Sequence, residues 1–390
     1  MFIILILFHS FSLKALDVGL LLDQNVNAHG DESYSTEYTG SLIPLLSGFA
    51  GDNGEFIFSA ALSYGINPWI FVPELLRTEI TVRSGIGEFK LGRMPYRDPL
   101  GIIAEGLFDG TQVFFDTIIG TLSAGVWYTG GLYKKRAFIT MNDDELHSYN
   151  TDLDYNDFMH TYFAPSRVLS SFSWERPSLG GALNIKLDVL GQFDFSGAEL
   201  NTQYVSAKIA LPFRNFVFDF GGCFELAEYS YEFKIALAGE TGFTWMFPTP
   251  LENHLSLRGR YSSGAIGSFI DAFLPLTTIP QGKLLEAKFS GLSILSLSYL
   301  SRLHRVLSMD VSSSYFVRSD LETYKDYPVP DTGSGSYFLG AEFFGRFLWS
   351  PTSGIQLNVG GGLFVPALGN VAPKADILWR AEANITLSFF

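Results

Sequence analysis

The sequence has almost no cysteine, no long apolar run and few charges for its hydropathy. Cys223 is the single cysteine in 390 residues, which excludes an intramolecular disulfide framework and predicts a small buried residue. The mean hydropathy is +0.19 and only 17% of the residues are charged. Even so, no segment reaches the roughly 18 consecutive apolar residues of a membrane-spanning helix. The apolar residues therefore follow another pattern.

Basic blocks and metal-ligand spacings are also missing. The net charge is −14 and the pI is about 4.8, so nucleic acid is not an expected partner. The six histidines form no Cys/His cluster with metal-ligand spacing, and no catalytic triad can be located from their positions. We therefore predict no metal, no cofactor and no enzymatic activity.

The N-terminus is typical of an export signal. An apolar run, Phe2–Phe8, precedes a short mixed stretch that ends at Ala15, so residues 1–15 are predicted to be a signal peptide and residues 16–390 one structural unit. The run lacks a preceding Lys or Arg, and Leu13–Ala15 matches the small-x-small cleavage pattern poorly. An N-terminal core strand is the alternative.

Alternation of apolar and polar residues dominates the rest of the chain. Between residues 231 and 245, one parity is apolar and the other mostly polar, which is the pattern of a strand with two different faces. The apolar set is Tyr231, Phe233, Ile235, Leu237, Phe243 and Trp245, and the polar set includes Glu232, Lys234, Glu240 and Thr244. This segment is long enough to cross a bilayer, which takes about 9–11 tilted residues.

The same alternation recurs about 16–18 times along the chain. Clear examples are residues 55–64, 183–194, 215–226, 254–261, 337–349 and 355–365. Strands of this kind leave no unpaired backbone in lipid only when they close into a barrel. We therefore predict an all-β fold, a single transmembrane antiparallel β-barrel of about 16 strands, with 14 to 18 as the range. A soluble β-sandwich is the alternative.

The connections between strands divide into short turns and long loops. Asp116–Gly120 and Arg214–Asn215 are predicted periplasmic turns, whereas long extracellular loops are predicted at Asn142–Asp157, Ser262–Gly282 and Asp320–Gly335. Residues 23–53 alternate less firmly and are predicted to form either an N-terminal plug or a long loop. Residues 98–108 are compatible with a turn of helix.

The C-terminus resembles the last strand of bacterial outer-membrane proteins. Residues 377–389 alternate between apolar and polar side chains, and the chain ends in Phe389 and Phe390. The resemblance implies a location in the bacterial outer membrane and a C-terminal assembly signal at these two phenylalanines. It also implies four kinds of partner: outer-membrane lipids, lipopolysaccharide or its equivalent, the barrel-assembly machinery and periplasmic chaperones. A homo-oligomer is left open.

A second segment is similar to porins and alginate-export-type channels. Phe-Lys-Leu-Gly-Arg-Met-Pro-Tyr-Arg-Asp-Pro at 89–99 and Phe-Asp-Gly-Thr-Gln-Val at 108–113 match their "LGRQ … DG" stretch. Met94 stands where that pattern has Gln. The resemblance implies that a strand ends near Arg93 and that the segment between Asp98 and Asp109 folds toward the lumen.

Charged residues on the polar parity define a predicted lumen. Arg77, Arg83, Arg93, Arg258 and Arg260 are expected to line a constriction that the 98–109 segment narrows. The full set of predicted pore-lining residues is Arg77, Arg83, Lys90, Arg93, Asp98, Asp109, Arg258, Arg260, Arg302, Glu342 and Arg346. Mixed charges in a barrel of this size indicate water inside. In the alternative hypothesis these residues form ion-pair networks that stiffen the wall.

Three functions remain compatible with such a barrel. The favoured hypothesis is an outer-membrane channel for passive diffusion of small polar solutes. A transporter of fatty acids or other hydrophobic solutes would need an N-terminal plug, for which residues 23–53 are the candidate. A surface-exposed adhesin or a purely structural barrel is the third alternative.

Overall fold

The computed structural model describes most of the chain. The described residues are 13–31, 34–66, 69–141, 145–146, 149–195, 200–229, 232–266, 270–322, 324 and 335–390. Residues 1–12, which hold most of the predicted signal peptide, lie outside the described residues. The backbone of Leu13–Ala15 already belongs to the first strand.

The described residues form one antiparallel sheet of 18 strands that closes on itself. Each strand pairs with its neighbours in sequence, and β1 pairs with β18 from Leu20–Phe389 to Gly30–Trp379. The strands are β1 (Leu13–Gly30), β2 (Tyr34–Ala50), β3 (Gly54–Ile66), β4 (Ile70–Ser84), β5 (Gly87–Arg97), β6 (Glu105–Thr117), β7 (Gly120–Tyr128), β8 (Arg167–Leu179), β9 (Leu183–Asp194), β10 (Leu200–Phe213), β11 (Phe216–Tyr229), β12 (Glu232–Met246), β13 (His254–Ser262), β14 (Leu292–His304), β15 (Leu307–Arg318), β16 (Phe338–Thr352), β17 (Ile355–Val365) and β18 (Leu378–Phe389).

The strand number is two higher than the predicted 16 and lies at the upper end of the predicted range. One source of the difference is residues 23–53, which were expected to form a plug or long loop. They form the second half of β1, all of β2 and the turn into β3, so they are part of the wall. The turn of helix expected at 98–108 is also wrong, because residues 98–104 form a compact loop and residues 105–108 begin β6.

Helical structure is confined to connections. Among the fully described elements, two short helices, α1 (Lys134–Ala137) and α2 (Phe158–Tyr162), lie between β7 and β8, where residues 145–146 and 149 are also helical. Turns of 3₁₀ helix occur at Tyr155–Asp157 and Pro366–Leu368. In the described ranges, no helix combines the length and the apolar composition needed to cross a membrane.

The two faces of the wall follow the parity predicted from the sequence. On β9, Leu187 and Val189 point outward and are 44% and 51% exposed, whereas Asp188 and Gln192 point inward and are almost fully buried. On β12, Phe233 and Leu237 are exposed and Glu240 is buried. The apolar face thus lies on the outside of the barrel, where only a lipid environment removes it from water.

Replacing Val189 with arginine tests this orientation. Val189 is at the middle of β9 and faces outward, so a charge there is expected to destabilise the folded barrel in a bilayer by about 2–4 kcal/mol. Urea unfolding in lipid vesicles measures the change, with Val189→Leu as the matched control. Equal stability of the two variants would contradict a lipid-facing wall.

The three longest connections lie at one end of the barrel, and the two short turns predicted from the sequence lie at the other. Two predicted turns are confirmed, since β6 and β7 are separated by residues 118–119 and β10 and β11 by residues 214–215. Arg214 adopts a positive φ of 55° in this two-residue turn. The long connections 129–166, 263–291 and 319–337 all emerge at the other end, which is the arrangement of outer-membrane barrels.

Candidate channel lumen

The β5–β6 hairpin leaves the wall near its long-loop end. β4 pairs with β5 only between Thr78–Arg93 and Ser84–Gly87, although β4 begins at Ile70 and β5 continues to Arg97. Proline stands in each of the two separated edges, at Pro73 and Pro95, where it supplies no N–H for pairing. We call this gap between the two strands the β4–β5 seam.

The tip of this hairpin is an acid-centred loop. Asp98 is buried and accepts hydrogen bonds from the backbone N–H groups of Leu100, Gly101, Ile103 and Ala104, each at 2.9 Å. Burial raises the pKa of the Asp98 carboxyl, and the four N–H groups act in the opposite direction. Asp98 was predicted to line the pore, but its carboxylate is enclosed by its own loop and anchors that loop.

The hairpin tip crosses the interior of the barrel. The side chain of Leu100 lies against Gly221 on β11, where a Cβ would stand 2.2 Å from Leu100 Cδ2. Ile102 and Ile103 are completely buried. The predicted inward fold of the segment from Asp98 is therefore confirmed for residues 98–104, and Gly221 is the position that permits the close approach.

Two further connections fold onto this tip. The N–H of Thr277, in the 263–291 connection, donates to Ile103 O at 3.1 Å, and the N–H of Thr140, in the 129–166 connection, donates to Leu276 O at 3.0 Å. The described residues of the predicted extracellular loop Ser262–Gly282, which exclude 267–269, are thus part of a longer segment that folds into the interior. Residues 142–144, 147–148, 323 and 325–334 of the other two predicted loops lie outside the described residues.

Wall carboxylates hold the 263–291 connection through its backbone. Glu342 on β16 accepts hydrogen bonds from the N–H groups of Lys283, Leu284 and Leu285 at 2.7–3.1 Å. Glu225 on β11 accepts one from the N–H of Leu274 at 2.9 Å. Glu342 was predicted to line the pore; the structure makes it a buried anchor, because its oxygens are taken up by this loop.

The interior contains one continuous apolar core with charged side chains beside it. The hairpin and the 263–291 connection pack against inward-facing residues of strands from β6 to β17 that have almost no exposed surface. This cluster includes Tyr96, Phe108, Trp127, Leu169, Leu190, Tyr204 and Phe273. Cys223 belongs to it and is buried, as predicted. Charged side chains of both signs face the interior next to this core.

One ladder of charges follows β3, β4 and β5. Arg77 Nη2 lies 2.6 Å from the buried Glu79, and Lys90 Nζ lies 3.6 Å from Glu79 and 3.2 Å from Glu88. Arg83 continues this ladder toward the short-turn end, with Glu88 at 2.8 Å and Glu55 at 2.6 Å. Arg77, Arg83 and Lys90 all face the lumen, and all three are paired.

A second charged group lies across the lumen on β10, β12 and β13. Glu240 is buried between Lys208 Nζ at 2.7 Å and Arg260 Nε at 3.5 Å, and Arg260 also donates to Gln281 Oε1 at 3.0 Å. Arg258 and Arg97 lie within electrostatic range of Arg260. Because Arg97 is carried by the hairpin, the hairpin lies close to this group; we call the space between them, where the constriction was predicted, the narrow part.

The remaining predicted residues lie elsewhere. Arg93 is buried and makes a two-pronged contact with Asp109, both bonds at 2.7 Å, while it also donates to Gly131 O and Leu75 O. It therefore closes the base of the β4–β5 seam with Asp109 rather than lining the pore. Arg302 binds Glu252 at the short-turn end, outside the constriction, and Arg346 pairs with Asp310 along the wall at 3.2 Å.

Several lumen residues are missing from the sequence-predicted set, among them Arg97, Arg136 and Glu74. Arg97 is paired with Glu105 at 3.2 Å, and Arg136, on α1, reaches Glu74 at 3.2 Å. Arg136 sits in a connection without periodicity, so no sequence pattern indicated that it enters the barrel. The alternation pattern did not indicate that Glu74 faces inward, because an extra residue in β4 near Leu76 shifts the inward-facing positions from even to odd numbers.

The two C-terminal phenylalanines lie where β18 pairs with β1 and closes the barrel. Phe389 pairs with Leu20 and faces outward. The ring of Phe390 lies against Gly19, where a Cβ would stand 2.7 Å from Phe390 Cδ1. Their role as an assembly signal stays a prediction.

The barrel is similar to solved structures at low sequence identity. No protein-family model and no curated protein sequence matches the chain. Pseudomonas aeruginosa OccK2 (OpdF), solved in complex with glucuronate, aligns with a TM-score of 0.63 and 12% identity over 97% of both chains. Pseudomonas aeruginosa OccK5 (OpdH) gives 0.63 and 12% over 97% of this chain and 99% of that one. Acinetobacter baumannii OccAB1 gives 0.61 and 13% over 97% and 98%. The chain thus has the fold of OccK/OpdF-type outer-membrane porins.

Proposed function

We propose that this protein is an outer-membrane channel through which small polar solutes diffuse passively. The observation that carries the proposal is the mixed interior: a closed barrel, apolar outside, encloses inward-facing charges of both signs beside its apolar core. A buried apolar core alone would stabilise a solid barrel. The Arg77–Glu79–Lys90 ladder and the Lys208–Glu240–Arg260 group are instead partly exposed to the interior, where water hydrates them.

The placement of the charges supports selection by polarity. Opposed ladders on two sides of a narrow passage create a transverse field that orients dipolar solutes and disfavours apolar ones. Because each of these arginines is paired with a carboxylate, we expect the channel to have only a weak preference for anions over cations. Passage of neutral and dipolar solutes is therefore expected to exceed that of equally large apolar ones.

Recording ion currents from the purified full chain in planar bilayers tests the proposal. We expect discrete open-channel steps whose size scales with bulk salt conductivity, because hydrated ions cross a water-filled lumen. A correctly folded barrel that inserts without any step would contradict the proposal. Heat-modifiable mobility in gels distinguishes folded from unfolded protein in the same preparation.

The alternative hypothesis, a transporter of hydrophobic solutes, no longer has a candidate plug to support it. It required a plug from residues 23–53, and these residues are wall strands. No specific feature favours an adhesin. The proposed partners are outer-membrane lipid and lipopolysaccharide around the apolar face and, during biogenesis, periplasmic chaperones and the barrel-assembly machinery at the C-terminal strand. The proposed function requires no cofactor and no catalytic step.

A further inference from the structure

A cavity lies at the β4–β5 seam, toward the long-loop end of the barrel. Its volume is about 640 Å³, and its lining comes from three elements: β4, the β5–β6 hairpin and the segment around α1. A cavity of this size is within the range of small-ligand sites, about 300–1,000 Å³. It exists because β4 and β5 part above Thr78 and Arg93, so it is a consequence of the inward fold of the hairpin.

Fixed interactions hold the cavity open. The Tyr162 hydroxyl donates to Pro73 O at 2.7 Å, which satisfies a carbonyl on the free edge of β4. Burial raises the pKa of Tyr162 to about 12, so this hydroxyl is protonated and donates at physiological pH. The Arg93 guanidinium donates a hydrogen bond to Leu75 O in the same way. Both edges of the seam are thus stabilised without strand pairing.

Charges in the cavity are balanced. Arg97 pairs with Glu105 at 3.2 Å and Arg136 with Glu74 at 3.2 Å, while Arg93, at the base, is neutralised by Asp109. A ligand of either net charge would leave one unbalanced charge behind on binding. A ligand that carries both charges keeps the balance.

Glu74 and Arg136 form a pair at the cavity wall. Glu74 Oε2 lies 3.2 Å from Arg136 Nη1, and Arg136 is held in place by a bond from Nη2 to Ser63 Oγ at 3.0 Å. A carboxylate accepts several hydrogen bonds, so an incoming ammonium group can donate to Glu74 beside Arg136.

The walls beside this pair are apolar. Leu75, Leu76, Pro95 and Leu107 line the cavity from the two separated strands, and Phe138 lines it from the connection after α1. These surfaces would cover an aliphatic side chain next to the charged pair. The combination of a two-charge head site and an apolar wall is specific for one chemical class of solute.

We propose that the seam cavity binds a small zwitterion with an apolar side chain, its carboxylate on Arg136, its ammonium on Glu74 and its side chain against Leu75, Leu76 and Leu107. This inference deepens the proposed function, since it names a solute class for which the channel carries a binding site. The site lies toward the long-loop end of the barrel, and Arg97, which lines it, is within electrostatic range of Arg260.

Current block by three matched probes tests the site. L-leucine carries both charges, 4-methylpentanoate lacks the ammonium and 3-methylbutylamine lacks the carboxylate. We expect leucine to reduce the single-channel current of the full chain saturably. Each single-charge probe should need at least about tenfold higher concentration, the equivalent of about 1.4 kcal/mol.

Two variants connect the block to the site. Glu74→Gln and Arg136→Gln should each raise the half-blocking concentration of leucine about tenfold or more, since each removes one of the two charged contacts. Glu55→Gln is the control, because Glu55 pairs with Arg83 at the other end of the ladder and does not line the cavity. It should leave the block unchanged.

The outcomes separate this inference from the proposed function. Equal block by leucine and either single-charge probe would overturn the zwitterion site, as would a channel that conducts without any block. Calorimetric titration of leucine into the folded protein in detergent examines binding without conduction. Absence of conductance with leucine binding that Glu74→Gln abolishes would overturn the proposed function and leave the site standing, whereas absence of binding would overturn the site.

Discussion

Replacing Glu342 with alanine is expected to enlarge the channel. The carboxylate accepts three backbone N–H bonds from Lys283–Leu285, and hydrogen bonds to a charged group contribute about 1.5–3 kcal/mol each. Their loss should release the 263–291 connection from the wall. Single-channel conductance should then rise by a factor of about two, with frequent transitions between levels.

Asp310→Asn is the control for this experiment. Asp310 also faces the lumen on a neighbouring strand and pairs with Arg346 at 3.2 Å, but it holds no backbone N–H of the inward-folded connections. This variant removes a carboxylate charge without releasing a loop, so steady currents are expected. Equal conductance in wild type and Glu342→Ala would show that the connection does not limit the passage.

Replacing Glu240 with glutamine is expected to make the channel more permeable to anions relative to cations. Glu240 neutralises Lys208 at 2.7 Å and Arg260 at 3.5 Å, with Arg97 and Arg258 close by. Loss of its charge leaves an excess of positive charge at the narrow part. The anion-to-cation permeability ratio should increase about two- to threefold, measured as the reversal potential in a potassium chloride gradient.

Glu252→Gln provides the same change in charge at another position. Glu252 pairs with Arg302 at the short-turn end, where both side chains are well exposed and salt screens them. Its permeability ratio should remain that of the wild type. Identical shifts in the two variants would show that net charge, rather than the Lys208–Glu240–Arg260 group, sets the selectivity.

The fold was predictable because the barrel is a two-sided wall. Residues that face the lipid must be apolar, whereas residues that face water or packed loops inside can be polar, so the two kinds alternate along a strand. Leu187, Asp188 and Val189 show this alternation. Prediction was weakest at β1 and β2. There Gly, Ser and Pro44 interrupt the contrast between the faces, so wall strands were assigned to a plug.

The site was only partly predictable, since the folding of loops into a barrel depends on contacts between distant residues. Parity correctly placed Arg77, Lys90 and Arg260 on the inner face. It could not show that the carboxylates of Asp98 and Glu342 would accept hydrogen bonds from backbone N–H groups instead of facing the pore. It also could not show that Arg93 would hydrogen-bond to residues at the β4–β5 seam, or that Arg136 would pair with Glu74, which lies 62 residues earlier in the chain.

The way Glu342 holds the inner segment has a consequence for how such a channel can change over generations. Its described hydrogen bonds go to the main chain of Lys283, Leu284 and Leu285, so these bonds do not depend on the side chains at those positions. Leu284 and Leu285 also pack in the apolar core, but a substitution of the exposed Lys283 can alter what the passage admits while the segment stays docked. The solute preference of the barrel can therefore drift in a few loop positions, with the wall and its assembly left intact.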